Sequence, residues 1–309
     1  MKIRSFYLTG FLYLFVTMLN FNIAAQQNRQ KIKAKSYAVG FMNNVFSEVD
    51  LNDARAALKI WVNETIRLYN GQDEYQIHSI FYENISDLSK SIRNNDLAFI
   101  SMSTYDYLAQ EKKLGLEPVL VPEIEGELGV KFCLLVNRSA GINNIRDLKG
   151  KAIGLIANPI SIASRLWLDV LLAKNNLLPK EKYFNRIEGS SKDSQAILNL
   201  FFGNLDACIV PEKSYQLMKE LNPQVGEKLK SILISDSFMP GFICYVSTSG
   251  DEQFKQHFCS STIKLQEHNA GRQMLTLLKI GKLVPFKDQY LDSFRDLLKE
   301  HRKISLKVR

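Results

Sequence analysis

Histidine is scarce in this chain, with four in 309 residues, and chemistry that depends on it has little to build on. His78 lies in a strand-like run, while His257, His268 and His301 lie in helical stretches near the end. Each reads as a packing or surface residue. There is no C-x-x-C, no H-E-x-x-H, no G-x-S-x-G and no Walker loop, so zinc sites, serine hydrolases and P-loop nucleotide sites lack their signatures. No Lys/Arg run exceeds three residues, and the net charge of 40 − 32 = +8 is scattered among acids. That is a solvated surface with a mild bias towards anions, not a basic stripe with interleaved aromatics for nucleic acid. Asp96 and Asp206 each precede a buried strand, where turn duty is the ordinary role.

What is present begins with a leader. Lys2 and Arg4 precede an apolar run over residues 6–21, and Ile23-Ala24-Ala25 supplies a small-residue site before Gln26. This order is that of a secretory signal peptide cut after Ala25; retention as an uncleaved anchor is the alternative. No later segment approaches the roughly 20 apolar residues that a membrane span needs. Export permits disulfides among Cys133, Cys208, Cys244 and Cys259. Cys133 and Cys244 sit in runs expected to cross side by side between two lobes, so a bridge there is open if the Cα atoms come within reach. Free core thiols are the expectation.

The rest of the chain is organised around residues 145–172. A polar turn, Asp147-Leu148-Lys149-Gly150-Lys151, leads into an apolar run over 152–157 and a loop at Asn158-Pro159-Ile160-Ser161. A helix follows, with Ala163, Leu166, Trp167, Val170 and Leu171 on its inner face and Arg165 and Asp169 outside. A strand ending in a small-residue loop at a helix N-terminus leaves N–H groups that suit an anion. Ser161 and Ser164 read either as helix caps or as hydroxyls reaching a ligand.

Before this stretch the pattern predicts strands over 37–42, 75–81, 97–101 and 118–122. A helix capped by Asp50 or Asn52 turns Ala57, Ile60, Trp61 and Leu68 inward, Ser86 caps a second, and a third starts near Thr104. Helices are expected over 254–263, 270–279 and 290–301. Residues 86–108 and 192–218 share one plan: a capped helix, an Asn-bearing turn, an Asp before a buried strand, then a helix carrying Ser/Thr-Tyr. Two such units over a hundred residues apart point to two similar lobes. Successive β-α units imply mainly parallel sheets with helices on both faces, and ligands beyond the carboxyl ends of the strands.

Residues 145–172 resemble the second lobe of the phosphate/phosphite/phosphonate-binding periplasmic proteins, a branch of the type II ABC-transporter solute-binding proteins. VDLNDARAALKIW (residues 49–61) and GRQMLTLLKIGKLVPF (271–286) resemble the same family, and the similarity runs from Val39-Gly40-Phe41 to about Lys299. The family's Ser-Thr-Ser-Gly loop falls on Ser161-Ile162-Ala163-Ser164, where two hydroxyl positions are apolar.

The resemblance implies an α/β fold of two lobes joined by crossover strands. The expected division is a signal peptide (1–25), a tether (26–35), a first lobe (36–128 and 248–309) and a second lobe (129–247). The first crossing is expected at 129–137 and the return at 242–247. Ligand contacts are expected from Asn43, Phe46, Ser101, Ser103, Tyr105, Asn158, Ser161, Ile162, Ser164, Ser190 and Glu212. Glu212 either meets a cationic part of a zwitterion or is simply exposed. The implied function is capture of a small anion for an inner-membrane ABC permease by a monomer, with no catalysis, metal or cofactor. The alternative is an extracytoplasmic sensor on the same fold, signalling through a separate membrane partner.

Overall fold

Among the described residues, the apolar runs at 38–42, 132–136, 152–156, 207–210 and 242–246 become strands of two sheets. The computed structural model describes residues 35–46, 50–68, 75–124, 126–158, 161–248 and 252–307. The expected leader and all but the last residue of the tether lie outside them, as does the Leu68 side chain.

The first sheet contains β1 (Lys35–Met42), β2 (Tyr75–Tyr82), β3 (Phe99–Ser103), β4 (Leu116–Glu123), β10 (Gly241–Val246) and β11 (Lys282–Pro285). Their spatial order is β11-β4-β10-β3-β1-β2. The second contains β5 (Phe132–Asn137), β6 (Ala152–Ile156), β7 (Arg186–Ser190), β8 (Ala207–Pro211) and β9 (Leu229–Ile234), in the order β7-β6-β8-β5-β9. Residues 38–42 and 132–136 are buried throughout, with no alternation. Continuous burial is the mark of strands covered by helices on both faces.

Around the first sheet lie α1 (Leu51–Leu68), α2 (Ile85–Arg93) and α3 (Thr104–Gln110). Asp50 caps α1 by accepting from the N–H of Asn52 at 2.8 Å. Around the second lie α4 (Ile162–Lys174), α5 (Lys180–Tyr183), α6 (Asp193–Phe201), α7 (Glu212–Leu221) and α8 (Pro223–Lys228). The internal echo appears as α2-β3-α3 and α6-β8-α7, with left-handed Asn95 and Gly203 in the matching turns. Helices α9 (Glu252–Ile263) and α10 (Asn269–Leu277) return to the first sheet, where Phe258 of α9 stacks on Phe99 of β3 at 3.9 Å.

Strand directions show how the chain passes between the sheets. β1 and β3 are parallel, and β6 is parallel to both β7 and β8. β10 is antiparallel to β3 and β4, β5 is antiparallel to β8 and β9, and β11 is antiparallel to β4, so both sheets are mixed where mainly parallel ones were expected; β10 and β5 share one cause. Each of these two is the first strand entered after a passage between sheets. It starts where its neighbours end, so it has to run against them.

Two expectations need correcting. The return was expected at 242–247, but that run is β10, a central strand of the first sheet. The actual passage comes earlier, where Val130 and Phe238 exchange backbone hydrogen bonds of 2.8 and 2.9 Å. An apolar run buried on both faces belongs inside a sheet, and Gly241 lets it start close to β3: a Cβ there would meet the Met102 carbonyl at 2.7 Å. Cys133 and Cys244 therefore lie in different sheets, and all four cysteines are free thiols.

The last helix, α11 (Asp292–Lys307), also departs from expectation. Leu291 just before it belongs to the first sheet's core, whereas Phe294 and Leu297 belong to the second's. α11 packs along α4, so α4 has the sheet on one side and a helix on the other. That explains why Leu168 and Leu172 are buried with the predicted Ala163, Leu166 and Val170, whereas the predicted inner residues Trp167 and Leu171 are only half-buried.

Candidate functional site

The strand registers bring one set of ends together. Ser103 at the end of β3 faces Gly241, Ser190 at the end of β7 faces Ile156, and Pro211 at the end of β8 faces Phe132. Gly241 and Phe132 begin the strands entered after each passage, so the carboxyl ends gather where the chain crosses. The segments leaving them are 43–46, 103–106, 157–164, 190–193 and 211–214.

Several candidate hydroxyls turn out to be engaged locally. Ser103 Oγ donates to Asp106 Oδ2 at 2.8 Å and accepts from the Asp106 N–H, capping α3. Ser164 is fully buried, and its Oγ donates to the Ser161 carbonyl at 2.7 Å. Asn158 Oδ1 accepts from the Ser161 N–H at 2.8 Å and shapes the loop before α4. The Ser161 side chain makes no capping bond. Serines beside helix starts commonly bond their own backbone in this way.

Other candidates line the segment ends. Tyr105 and Ile162 are half-buried and pack against the second sheet's core. Phe46 and Ser101 border a recess in the first sheet. Glu212 opens α7, and its N–H donates to the Lys131 carbonyl in the crossing segment. Ser190 is 1% exposed, and its Oγ has no hydrogen-bond partner.

Ser190 is one of a group. Of the buried side-chain atoms without a partner among the described residues, Asn43 Oδ1, Asn44 Oδ1, Thr104 Oγ1, Ser190 Oγ and Asp193 Oδ1 lie in these segments, while others, such as Thr65 Oγ1 and Tyr82 OH, lie elsewhere. Leaving a buried polar atom unpaired costs about 1–3 kcal/mol, so such a concentration points to a ligand or ordered water completing them. Asn44, Thr104 and Asp193 were not singled out from the sequence. Asn44 and Thr104 sit beside predicted positions, whereas Asp193 reads as an ordinary acid at a helix start.

The carboxylate of Asp193 is the most constrained group here. Its Oδ2 accepts from Ser214 Oγ at 2.6 Å. Burial raises its pKa above the usual aspartate value, opposed by the Ser214 hydroxyl and by the charge of Lys279 from the turn between α10 and β11. Asp106 is a positioning group: its Oδ2 also accepts from Asn44 Nδ2 at 2.8 Å, tying the loop after β1 to that after β3.

Over residues 41–291 the chain matches the family described as "ABC transporter, phosphonate, periplasmic substrate-binding protein". The chain belongs to that family. Among similar solved structures is a binding-protein component of an ABC phosphonate transporter from Pseudomonas aeruginosa, at 15% identity and TM-score 0.61, covering 90% of each chain. A Xanthomonas citri protein bound to ATP matches at 12% identity and TM-score 0.64, over 89% of this chain and 100% of that one. PhnD1 of Prochlorococcus marinus in complex with methylphosphonate matches at 15% and TM-score 0.58, over 88% and 98%. Identities this low establish a shared fold, the type II periplasmic binding fold of two sheets flanked by helices. Family membership makes the chain a solute-binding component of ABC transport and not an enzyme. It implies a periplasmic location, a small ligand and a membrane permease as partner; a sensory role is not favoured.

Proposed function

We propose that the protein captures a small oxyanion, phosphonate- or phosphate-like, in a cleft between the carboxyl ends of its two sheets. It then delivers the ligand to an inner-membrane permease, acting as a monomer whose leader has been cleaved after Ala25. The lobes would then be residues 36–128 with 241–291, built on the first sheet, and residues 129–238, built on the second, with α11 packed against the second, so the boundary expected at 247 moves back to the passage near Phe238. The observation that carries this reading is the set of five unpartnered polar atoms at those ends. Ser190 and Thr104 would donate hydroxyl protons to ligand oxygens, and the first turn of α4 would supply N–H groups and a favourable dipole. Asn43, Phe46, Ser101, Tyr105, Asn158, Ser161, Ile162 and Glu212 would surround them, with Ser103 and Ser164 acting through the backbone they hold. Asp193 sets a condition on the ligand. A bare carboxylate would repel a fully ionised oxyanion, so Oδ1 favours a ligand with its own donor, a P–OH or an N–H.

The test is calorimetric titration with phosphate, methylphosphonate, aminoethylphosphonate and methanesulfonate. Binding to at least one is expected, weakened tenfold or more in Ser190→Ala, together with a smaller radius of gyration by X-ray scattering at saturation. Absence of binding to all four would refute the oxyanion reading.

A further inference from the structure

We infer that the ligand carries an apolar substituent and that this group lodges in a recess of the first sheet. This rests on the oxyanion reading above. The recess is a partly enclosed cavity of about 60 Å³ between the sheet and helices α1 and α10. One water needs about 10–15 Å³, so the space exceeds a packing flaw, yet apolar walls disfavour filling it with water. Pockets for whole organic ligands run to about 300–1,000 Å³. The recess therefore suits a substituent and not an entire molecule.

Its position links it to the site. Phe46 comes from the loop after β1, and Ser101 is paired with Ile243 near the start of β10, the end where the chain crosses. Leu278 and Ile280 form another wall, and Lys279 between them is the residue whose charge reaches Asp193 in the second lobe. Ser101 supplies the only hydroxyl among the described lining residues, and the Trp61 indole N–H already donates to Thr262 Oγ1 at 3.4 Å. A charged head group would find one hydroxyl, that of Ser101, inside this recess, whereas five unpartnered atoms lie in the segments at the strand ends. The division is polar head in the loops and apolar tail under β1 and β3.

The test compares methyl-, propyl- and hexylphosphonate, and the matching sulfonates, by calorimetry. Each methylene that enters the recess is expected to tighten binding about fourfold, so propyl should exceed methyl by about fifteenfold. Leu278→Trp fills the recess and should bring the methyl-to-propyl ratio of Kd towards one. Leu277→Trp, at its exposed neighbour, should keep the wild-type ratio. Melting curves check that both variants fold, and Leu278→Phe replaces the tryptophan if it does not. If methyl ligands bind but the ratio is flat in wild type, or survives in folded Leu278→Trp, the recess inference is wrong while the oxyanion reading stands. If no member of either series binds, the oxyanion reading fails and this inference fails with it.

Discussion

His301 Nε2 lies 3.3 Å from Asp169 Oδ2, so α11 is tied to α4, a helix covering the second sheet. Lys180 Nζ completes the cluster at 2.8 Å from both Asp169 oxygens. These groups are partly exposed, and such pairs contribute about 1 kcal/mol or less. The tie holds mainly through the apolar contacts beneath it.

Phe294 is the residue that tests this. It is 2% exposed, and its ring meets Phe238 of the crossing segment edge-on at 6.0 Å. Phe294→Ala is expected to cost about 3–5 kcal/mol, whereas His301→Ala should cost less than about 1 kcal/mol. Urea unfolding of both variants measures the difference. Equal costs would mean that α11 is held by charge.

The pH dependence should carry a signature of Asp193. Burial raises its pKa, so the folded chain holds this proton to higher pH than the unfolded chain does. Its contribution to stability is then fully present below the unfolded pKa and lost as pH rises through the folded one. Asp193→Asn, which keeps an acceptor for Ser214, is expected to be at least as stable as wild type near neutral pH. The gap should close in acid. A wild type that gains on the variant with rising pH would show that the Lys279 charge outweighs burial.

Specificity should respond to the loop before α4. Ile162→Thr returns a hydroxyl to a half-buried position at the first turn. A hydrogen bond to a charged group contributes about 1.5–3 kcal/mol, so phosphate and methylphosphonate should bind at least about tenfold more tightly by calorimetry. Ala163→Ser should add little, because position 163 is 2% exposed and faces the core. A larger gain at 163 than at 162 would reverse this assignment.

The thiols should be inert in the folded protein. Burial pushes Cys133 and Cys259 up to about 12, and Cys208 and Cys244 well above the usual value. Only the thiolate reacts, so a colourimetric disulfide reagent should find almost no thiol natively and four in denaturant. A count of two in denaturant without reductant would reveal a disulfide.

Much of this fold was legible because buried strands are continuous apolar runs and helix starts carry Asp, Asn or Ser. The point of crossing was not, since Phe242-Ile243-Cys244-Tyr245-Val246 reads alike as a bridge or a central strand. Nor does the apolar stripe Phe294, Leu297 and Leu298 say which lobe receives it. At the site, sequence finds hydroxyls but not their partners: Ser103 and Ser164 are engaged within a turn of themselves, whereas Ser190 is not. Asp193 escaped notice because its burial depends on α7 and Ser214, distant in sequence.

β4 and β10 are neighbours in the first sheet, and everything between them, residues 124–240, is in effect the loop of a single hairpin. The second sheet closes entirely within residues 132–234, whereas the first must wait for β10 and β11. Closing a long flexible loop costs entropy that rises with its length, and a loop already folded is effectively shorter. The order of assembly that follows is inside out, with the inserted lobe acting as a staple for its host. Pulse-labelled hydrogen exchange during refolding should protect amides of β6 and β8 before those of β10; the opposite order would contradict it.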